Sequence, residues 1–324
     1  MQFLYQPFNN VYYNLACEEY FLKNKKEDIC ILWRSAPCIV LGKHQNTMAE
    51  INYPFVLKNN IPVARRLSGG GTVFHDWGNL NFCFIQKGDA TSLVDFKKFT
   101  RPIIEFLSQS GVMASFEGKN DLRVDGLKIS GNAEHVYKNK VLHHGTLLFQ
   151  SDIDFLREAI KPTSAQIVDK AVQSLRSKVA NISSFMDHPV SVEMFSEQLF
   201  DFLLNSNHGE VINISTEDEA AIRQLVETKY ATWEWNYAYS PDYTFARTLY
   251  LDEGLLNVYL EVGHGIIKKA SLSSTVNNKQ VLQGIASQLK GARHCYEDIR
   301  PLISQYFTDL KDDKKDDLIL KAFF

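Results

Sequence analysis

The sequence predicts an α+β protein, with a mixed, largely antiparallel sheet flanked by helices and a small α+β unit at the C-terminal end. Three observations predict it. Strand-like runs bracket a glycine-rich stretch, RRLSGGGTVFHD at 65–76. Two hairpin signals, VDGL at 124–127 and KNK at 138–140, join further strand-like runs. Helical patterns then flank these runs on the chain.

Taken in order, residues 14–23 read as an amphipathic helix with Glu18 and Glu19 in its first turn, where acidic groups complement the helix dipole. Residues 29–34 and 38–42 read as short buried strands split by Pro37, and residues 53–59 as a helix. Residues 63–66 lead into the glycines, 72–75 follow them, and the turn DWGN at 76–79 passes into a strand at 80–86. A helix is expected around 99–109, a strand ending at 141–149, and helices at 155–160, 192–204 and 216–230. An aromatic stretch, 233–243, marks a boundary. Beyond it, 245–259 and 265–271 read as hairpin strands and 279–289 and 296–307 as helices; the Lys/Asp-rich stretch 309–317 reads as a solvated surface segment.

Composition narrows the function classes. A chain of 324 residues with 45% hydrophobic and 23% charged residues is that of an ordinary globular protein. A net charge of -3 leaves no basic face for nucleic acid or an anionic membrane, so an acidic ligand must be met locally. Five scattered cysteines without a CxxC pair suggest neither a disulfide framework nor a zinc site, and fit a reducing cytoplasm. Neither a signal peptide nor a run of about 18 apolar residues is found.

The chemistry concentrates around Gly69, Gly70 and Gly71. Adjacent glycines adopt positive φ, approach a ligand without a Cβ, and present successive amide N–H groups to an anion. The stretch is neither a Walker A loop nor a GxGxxG fingerprint, and a strand follows it, so negative charge must be met by loop amides and by Arg65 or Arg66. Neighbours on a strand point to opposite faces, so one of the two faces the ligand. A glycine triplet between strands is more often a bulge or tight turn than a cradle; the flanking cations favour the cradle. A second element, KISGNA at 128–133, puts Lys128 before Ser-Gly, either as a solvated strand lysine or as a charge for a phosphate. In the third, HHGT at 143–146, adjacent histidines point to opposite faces and make no metal pair; the plain reading is one exposed and one pocket-facing histidine. Leu15, Trp33 and Cys83 are either tunnel-lining or ordinary core residues.

Together RRLSGGGTVFHD at 65–76, NDL at 120–122, KISGNA at 128–133 and HHGTLLF at 143–149 resemble the lipoate–protein ligase A family, supported by NLACEEY at 14–20, ILWR at 31–34 and WEWN at 233–236. The resemblance implies a catalytic domain like that of biotin protein ligases and class II synthetases over 1–232, and an accessory domain over 233–324. It implies ATP binding by Arg66, Gly71, Thr72, Val73, Phe74 and Lys128, lipoate contacts from Lys128, His75 and His144, and nucleotide or Mg²⁺ contacts from Asn120 and Asp121. No dedicated metal site is implied; Mg²⁺ would arrive with ATP. Lys128 is the catalytic residue so implied. The activity would be ATP-dependent formation of lipoyl-AMP, then lipoyl transfer to a lysine of apo lipoyl domains from 2-oxoacid dehydrogenase E2 subunits or of a glycine cleavage H protein. A cytoplasmic monomer is expected. The rivals are an ATP-independent acyltransferase on the same scaffold, some of which use a cysteine, a biotin ligase, and a non-catalytic binding module. No cysteine lies between Cys83 and Cys295, which disfavours the first.

Overall fold

The computed structural model describes residues 1–88, 94–161, 163–174, 177–188, 190–251, 254–275, 279–306 and 311–324. In chain order the elements are β1 (Gln2–Gln6), α1 (Val11–Asn24), β2 (Ile29–Arg34), β3 (Cys38–Leu41), α2 (Thr47–Glu50), α3 (Tyr53–Lys58), β4 (Val63–Arg65), β5 (Val73–His75), β6 (Asn79–Lys87) and α4 (Phe96–Gln109). There follow β7 (Ser115–Glu117), β8 (Asp121–Val124), β9 (Leu127–Tyr137), β10 (Lys140–Leu148), α5 (Ile153–Ala159), β11 (Gln166–Asp169), α6 (Val192–Ser206), β12 (Glu210–Val211) and α7 (Thr216–Leu225). The last are β13 (Tyr243–Leu251), β14 (Gly254–Gly263), β15 (Ile266–Ser274), α8 (Lys279–Leu289), α9 (Tyr296–Ser304) and α10 (Asp312–Phe323). Of the expected elements, residues 252 and 253 of the first C-terminal strand run, residue 307 of the helix before the polar stretch, and residues 309 and 310 of that stretch lie outside the described residues; residues 312–317 open α10.

Two compact units form. The first comprises residues 1–43, 62–157 and 174–232. Its main sheet has eight strands in the order β12-β1-β2-β6-β10-β9-β8-β7, parallel across β12, β1 and β2 and antiparallel from β2 onward, which is the mixed, largely antiparallel sheet expected. A three-stranded sheet, β4-β3-β5, carries the glycine loop. Alternation along the strands divides the main sheet into two faces. Cys30, Leu32, Phe82 and Phe84 pack with Ile103, Phe106 and Leu107 of α4 and Phe195, Leu199 and Leu203 of α6. Ile31, Trp33, Cys83 and His144 point the other way, under α1.

Helix α1 begins earlier than its periodicity suggests. The Asn10 side chain accepts from the amides of Tyr12 and Tyr13 and caps the helix at Val11. Glu18 and Glu19 therefore lie in its middle rather than its first turn, and both are buried. The hairpin between β8 and β9 turns through Asp125 and Gly126 at φ +50° and +75°, the left-handed pair for which an Asp-Gly sequence is suited.

The second unit comprises residues 44–61, 158–173 and 233–324. Its sheet, β11-β13-β14-β15, is antiparallel, and Leu256, Val258 and Leu260 of β14 form a core with Ile285, Ile299 and Ile319 of the helices. His294 is buried in this unit, bonded through Nδ1 to the Tyr243 hydroxyl at 2.7 Å and through Nε2 to the Phe323 carbonyl at 2.7 Å. Burial pushes its imidazole down to about 4, against the opposing pull of the Phe323 carbonyl. Neutral His294 is thus favoured by folding. Its contribution is complete above the unfolded value near 6.5 and is lost as pH falls through about 4, with a full magnitude of about 3 kcal/mol. Denaturant titrations at pH 7 and pH 4 should show His294→Gln losing less stability on acidification than the parent; equal acid sensitivity would contradict this.

Candidate active site

Strand β4 runs parallel to β3 and β5 antiparallel to it, so the chain must reverse across β3 within the loop 66–72. Strand pairing ends at Arg65, and with it the alternation that would have sent one arginine outward. Both are buried instead. Arg65 donates to the carbonyls of Gly42 and Lys43 at 3.2 and 3.1 Å. Arg66 turns into the loop: Nε donates to Ser68 Oγ at 3.0 Å, Nη1 to Val40 O at 3.2 Å, and Nη2 to the carbonyls of Gly69 and Gly71 at 2.7 and 2.8 Å. The loop's carbonyls thus face inward on a buried cation. Among the described residues nothing accepts from the amides of Gly69, Gly70 and Gly71. Gly70 is exposed at φ +89°, a conformation glycine adopts freely. Successive N–H donors left without an acceptor in this way suit an anion. Burial pushes Arg66 down to about 10, with Glu18 opposing, so it stays charged at neutral pH.

The rest of the expected nucleotide segment divides by position. The Thr72 amide donates to Ser174 Oγ at 2.8 Å, and Ser174 also packs against Gly71, where a Cβ would fall 3.1 Å from its Oγ. Val73 and Phe74 belong to β5, and the buried Phe74 ring packs on Phe155 at 5.6 Å. Opposite the loop is β9, where Ala133 lies 4.0 Å from the Cβ position of Gly70.

Strand β9 explains the spacing of KISG. A bulge opposite Leu122 and Arg123 sets Lys128 and Ser130 against neighbouring residues of β8 and breaks the two-residue alternation. The Lys128 side chain then lies over Gly131, whose missing Cβ would have met Cε and Nζ at 3.0 Å. Lys128 Nζ pairs with Asp121 Oδ1 at 2.8 Å, and Asp121 Oδ2 also takes Arg123 at 2.7 Å. Residues 178 and 180 bracket the Lys128 backbone, so the segment that reaches Ser174 also runs beside Lys128. Asn120 and Asn132 exchange side-chain and backbone hydrogen bonds, which ties the end of β8 to β9 next to Asp121.

Neither adjacent histidine is openly exposed. His143 is fully buried, bonded to Glu134 at 2.8 Å and stacked on Phe99 at 4.9 Å. His144, on the opposite face, bonds Ser68 Oγ through Nε2 at 2.6 Å and Glu18 through Nδ1 at 2.8 Å. Glu18 also accepts from the Trp33 indole at 3.0 Å. His75 stands edge-on to Trp33 at 5.3 Å, and among the described residues its two ring nitrogens have no hydrogen-bond partner although the residue is 3% exposed. Burial, with Arg66 and His144 nearby, pushes His75 down to about 3, leaving a neutral ring with hydrogen-bonding capacity unused. Leu15 and Cys83 are buried.

Glu18, Ser68 and Ser174 are the residues that local pattern reading missed. The available signal was a carboxylate embedded among Leu15, Cys17, Phe21 and Leu22, a position that demands a buried partner. Replacing Arg66 with alanine should remove donors from four loop and strand acceptors and leave Glu18 without its opposing charge. A loss of about 3–5 kcal/mol is expected in denaturant titration, with faster hydrogen exchange at Thr72. Parent-like stability and exchange would show that Arg66 does not hold the loop.

Known proteins extend this geometry. Residues 10–204 match the family model of the lipoyl protein ligase A/B catalytic domain, and residues 240–319 that of the bacterial lipoate protein ligase C-terminus. Lipoate–protein ligase 1 of Staphylococcus aureus is 38% identical over 295 residues, covering 90% of each chain, and lipoate–protein ligase LplJ of Bacillus subtilis is 42% identical over 272 residues, covering 82% of each. A crystal structure of lipoate–protein ligase A bound with ATP superposes with a TM-score of 0.58 at 26% identity, covering 73% of this chain and 96% of that one. A bipartite lipoate protein ligase of Thermoplasma acidophilum, solved in a lipoylation system with its E2 lipoyl domain, gives a TM-score of 0.60 at 26% identity, covering 72% of this chain and 95% of that one. With a family model spanning residues 10–204 and relatives this similar over most of both lengths, the chain belongs to the lipoate–protein ligase family.

Proposed function

We infer that the protein activates lipoate with ATP and passes the lipoyl group to the lysine of a lipoyl domain, using the loop of Gly69–Gly71 and Lys128 as the two halves of an adenylate site. The observation that carries the reading is the inward grip of Arg66, which commits the carbonyls of Gly69 and Gly71 while, among the described residues, the amides of Gly69 to Gly71 have no acceptor.

In the first half-reaction a carboxylate oxygen of lipoate attacks the α-phosphorus of ATP, the bond to the β-phosphate oxygen breaks, and pyrophosphate leaves. Two anions must meet. The amides of Gly69 to Gly71 and the charge of Arg66 beneath them would offset that repulsion, with Val73 and Phe74 forming the strand that fixes the loop's far end. Lys128 would exchange Asp121 for the oxygens of the α-phosphate and the acyl carboxylate. Mg²⁺ supplies charge neutralisation on the polyphosphate when bound. Magnesium keeps most of its waters and phosphate ligands and needs one or two protein carboxylates, so Asp121, aligned by Asn120, suits it; no cluster of three metal-ligating side chains exists among the described residues. In the second half-reaction the ε-amine of the carrier lysine attacks the acyl carbon, the acyl–phosphate oxygen bond breaks, AMP leaves and the amine gives up a proton. Lys128 would again polarise the acyl oxygen.

His75 and His144 would line the acyl side beside Trp33. The catalytic part is taken as residues 1–232 and the accessory part as 233–324, supported by the gap between the two family models at 204 and 240. Carriers of E2 type are supported by the archaeal ligase solved with its E2 lipoyl domain; a glycine cleavage H protein offers the same chemistry. No helix among the described residues is long and apolar enough to cross a membrane, in keeping with a cytoplasmic monomer. An ATP-independent route through a cysteine thioester is disfavoured by the thiols. All five are buried, and burial pushes Cys83 well above the ordinary range and Cys38 and Cys295 up to about 12.

Lys128→Ala should cost about 3 kcal/mol of transition-state stabilisation, a loss of about a hundredfold in lipoate-dependent exchange of pyrophosphate into ATP. Near-parental lipoyl-AMP formation by that variant would remove Lys128 from the mechanism.

A further inference from the structure

We propose that Glu18 is a positioning residue for adenylation: from the middle of α1 it fixes the proton on His144, and through His144 the direction of the Ser68 hydroxyl that anchors the glycine loop. The proposal rests on the adenylate reading of the site and adds to it a residue that touches neither substrate nor the reacting atoms.

The hydrogen bonds leave little freedom. The Trp33 indole nitrogen is a donor only and gives its proton to Glu18 Oε1 at 3.0 Å. A carboxylate is an acceptor only, so His144 Nδ1, 2.8 Å from Glu18 Oε2, carries the other proton. With the ring's one proton on Nδ1, Nε2 is an acceptor, and the group 2.6 Å from it is Ser68 Oγ. Ser68 therefore donates its single proton to His144, while its lone pair accepts from Arg66 Nε at 3.0 Å. Lys43 donates its amide to the Ser68 carbonyl at 2.9 Å, so the residue before the glycines is held at both its side chain and its backbone. In this arrangement each member of the chain from Trp33 to Arg66 has one role, and the carboxylate sets it. Glu18 also opposes the charge of Arg66, whose Nη2 holds the carbonyls of Gly69 and Gly71.

Glu18→Gln changes this with almost no change of volume. The indole needs an acceptor and claims the amide oxygen, so the amide NH₂ faces His144 Nδ1. The histidine must then accept at Nδ1 and carry its proton on Nε2. Ser68 becomes the acceptor at that contact and its hydroxyl proton swings away from His144, while the loop loses its fixed anchor.

The test uses the full chain. In ¹⁵N-histidine-labelled protein, nitrogen spectra should show His144 protonated on Nδ1 in the parent and on Nε2 in Glu18→Gln. In lipoate-dependent ATP–pyrophosphate exchange, Glu18→Gln and Ser68→Ala should each lower kcat about 10–100-fold, with KM for ATP within about threefold. The double variant should be no worse than the weaker single, because both substitutions break one chain. Parent His144 protonated on Nε2, a reading that needs no variant to fold, would overturn the proposal. So would unchanged kcat in Glu18→Gln, or losses that multiply in the double variant. Absence of exchange in the unaltered protein would instead overturn the adenylate reading beneath it.

Discussion

The site depends on one buried cation that faces backbone carbonyls. Arg66 is 6% exposed and carries its charge inside the loop, where it gathers the carbonyls of Val40, Gly69 and Gly71 and the hydroxyl of Ser68. A charge so buried is costly unless its donors are satisfied and an opposing charge lies near. The loop carbonyls meet the first condition and Glu18 the second. In a trans peptide unit the carbonyl and the following amide point opposite ways, so the inward Gly69 carbonyl turns the Gly70 amide outward and the inward Gly71 carbonyl turns the Thr72 amide to Ser174. Within the loop's reversal Gly70 takes the positive φ and Gly71 leaves room for Ser174.

The main sheet supplies the frame. One face is closed by α4 and α6 over an aromatic core, and the other carries Trp33, Cys83 and His144 under α1. Strand β10 is central to both faces: His143 is locked with Glu134 and the phenylalanines on one side, and His144 reaches Ser68 and Glu18 on the other. Two adjacent histidines thus serve opposite layers, the first as core and the second as a link between sheet, helix and loop. His75, with neither ring nitrogen partnered among the described residues, is the contrasting case: a buried polar ring with hydrogen-bonding capacity in hand, beside Trp33.

Much of this was legible in the sequence. The strand–glycine–strand order and the Asp125-Gly126 hairpin turn follow from residue types and spacing, and the structure brings Gly70 to 4.0 Å from Ala133 of β9. Other features are set by contacts far apart in the chain. Strands β2 and β3, four residues apart, join different sheets, and β12 pairs with β1 across most of the first unit. The burial of both arginines could not be read from alternation because strand pairing stops at Arg65. Periodicity alone puts Glu18 in a first turn; the Asn10 cap, which moves the helix start to Val11, places it in the middle of α1. The bulge that folds Lys128 over Gly131 leaves no mark on periodicity beyond the glycine itself.

The most direct measurement of the central claim is intact mass spectrometry of an apo E2-type lipoyl domain incubated with the protein, lipoate and ATP, with AMP and pyrophosphate followed in parallel. The account predicts one lipoyl mass increment on the carrier, stoichiometric with AMP, and none when ATP is omitted. Lipoylation without ATP, or ATP cleavage that releases no pyrophosphate, would contradict it.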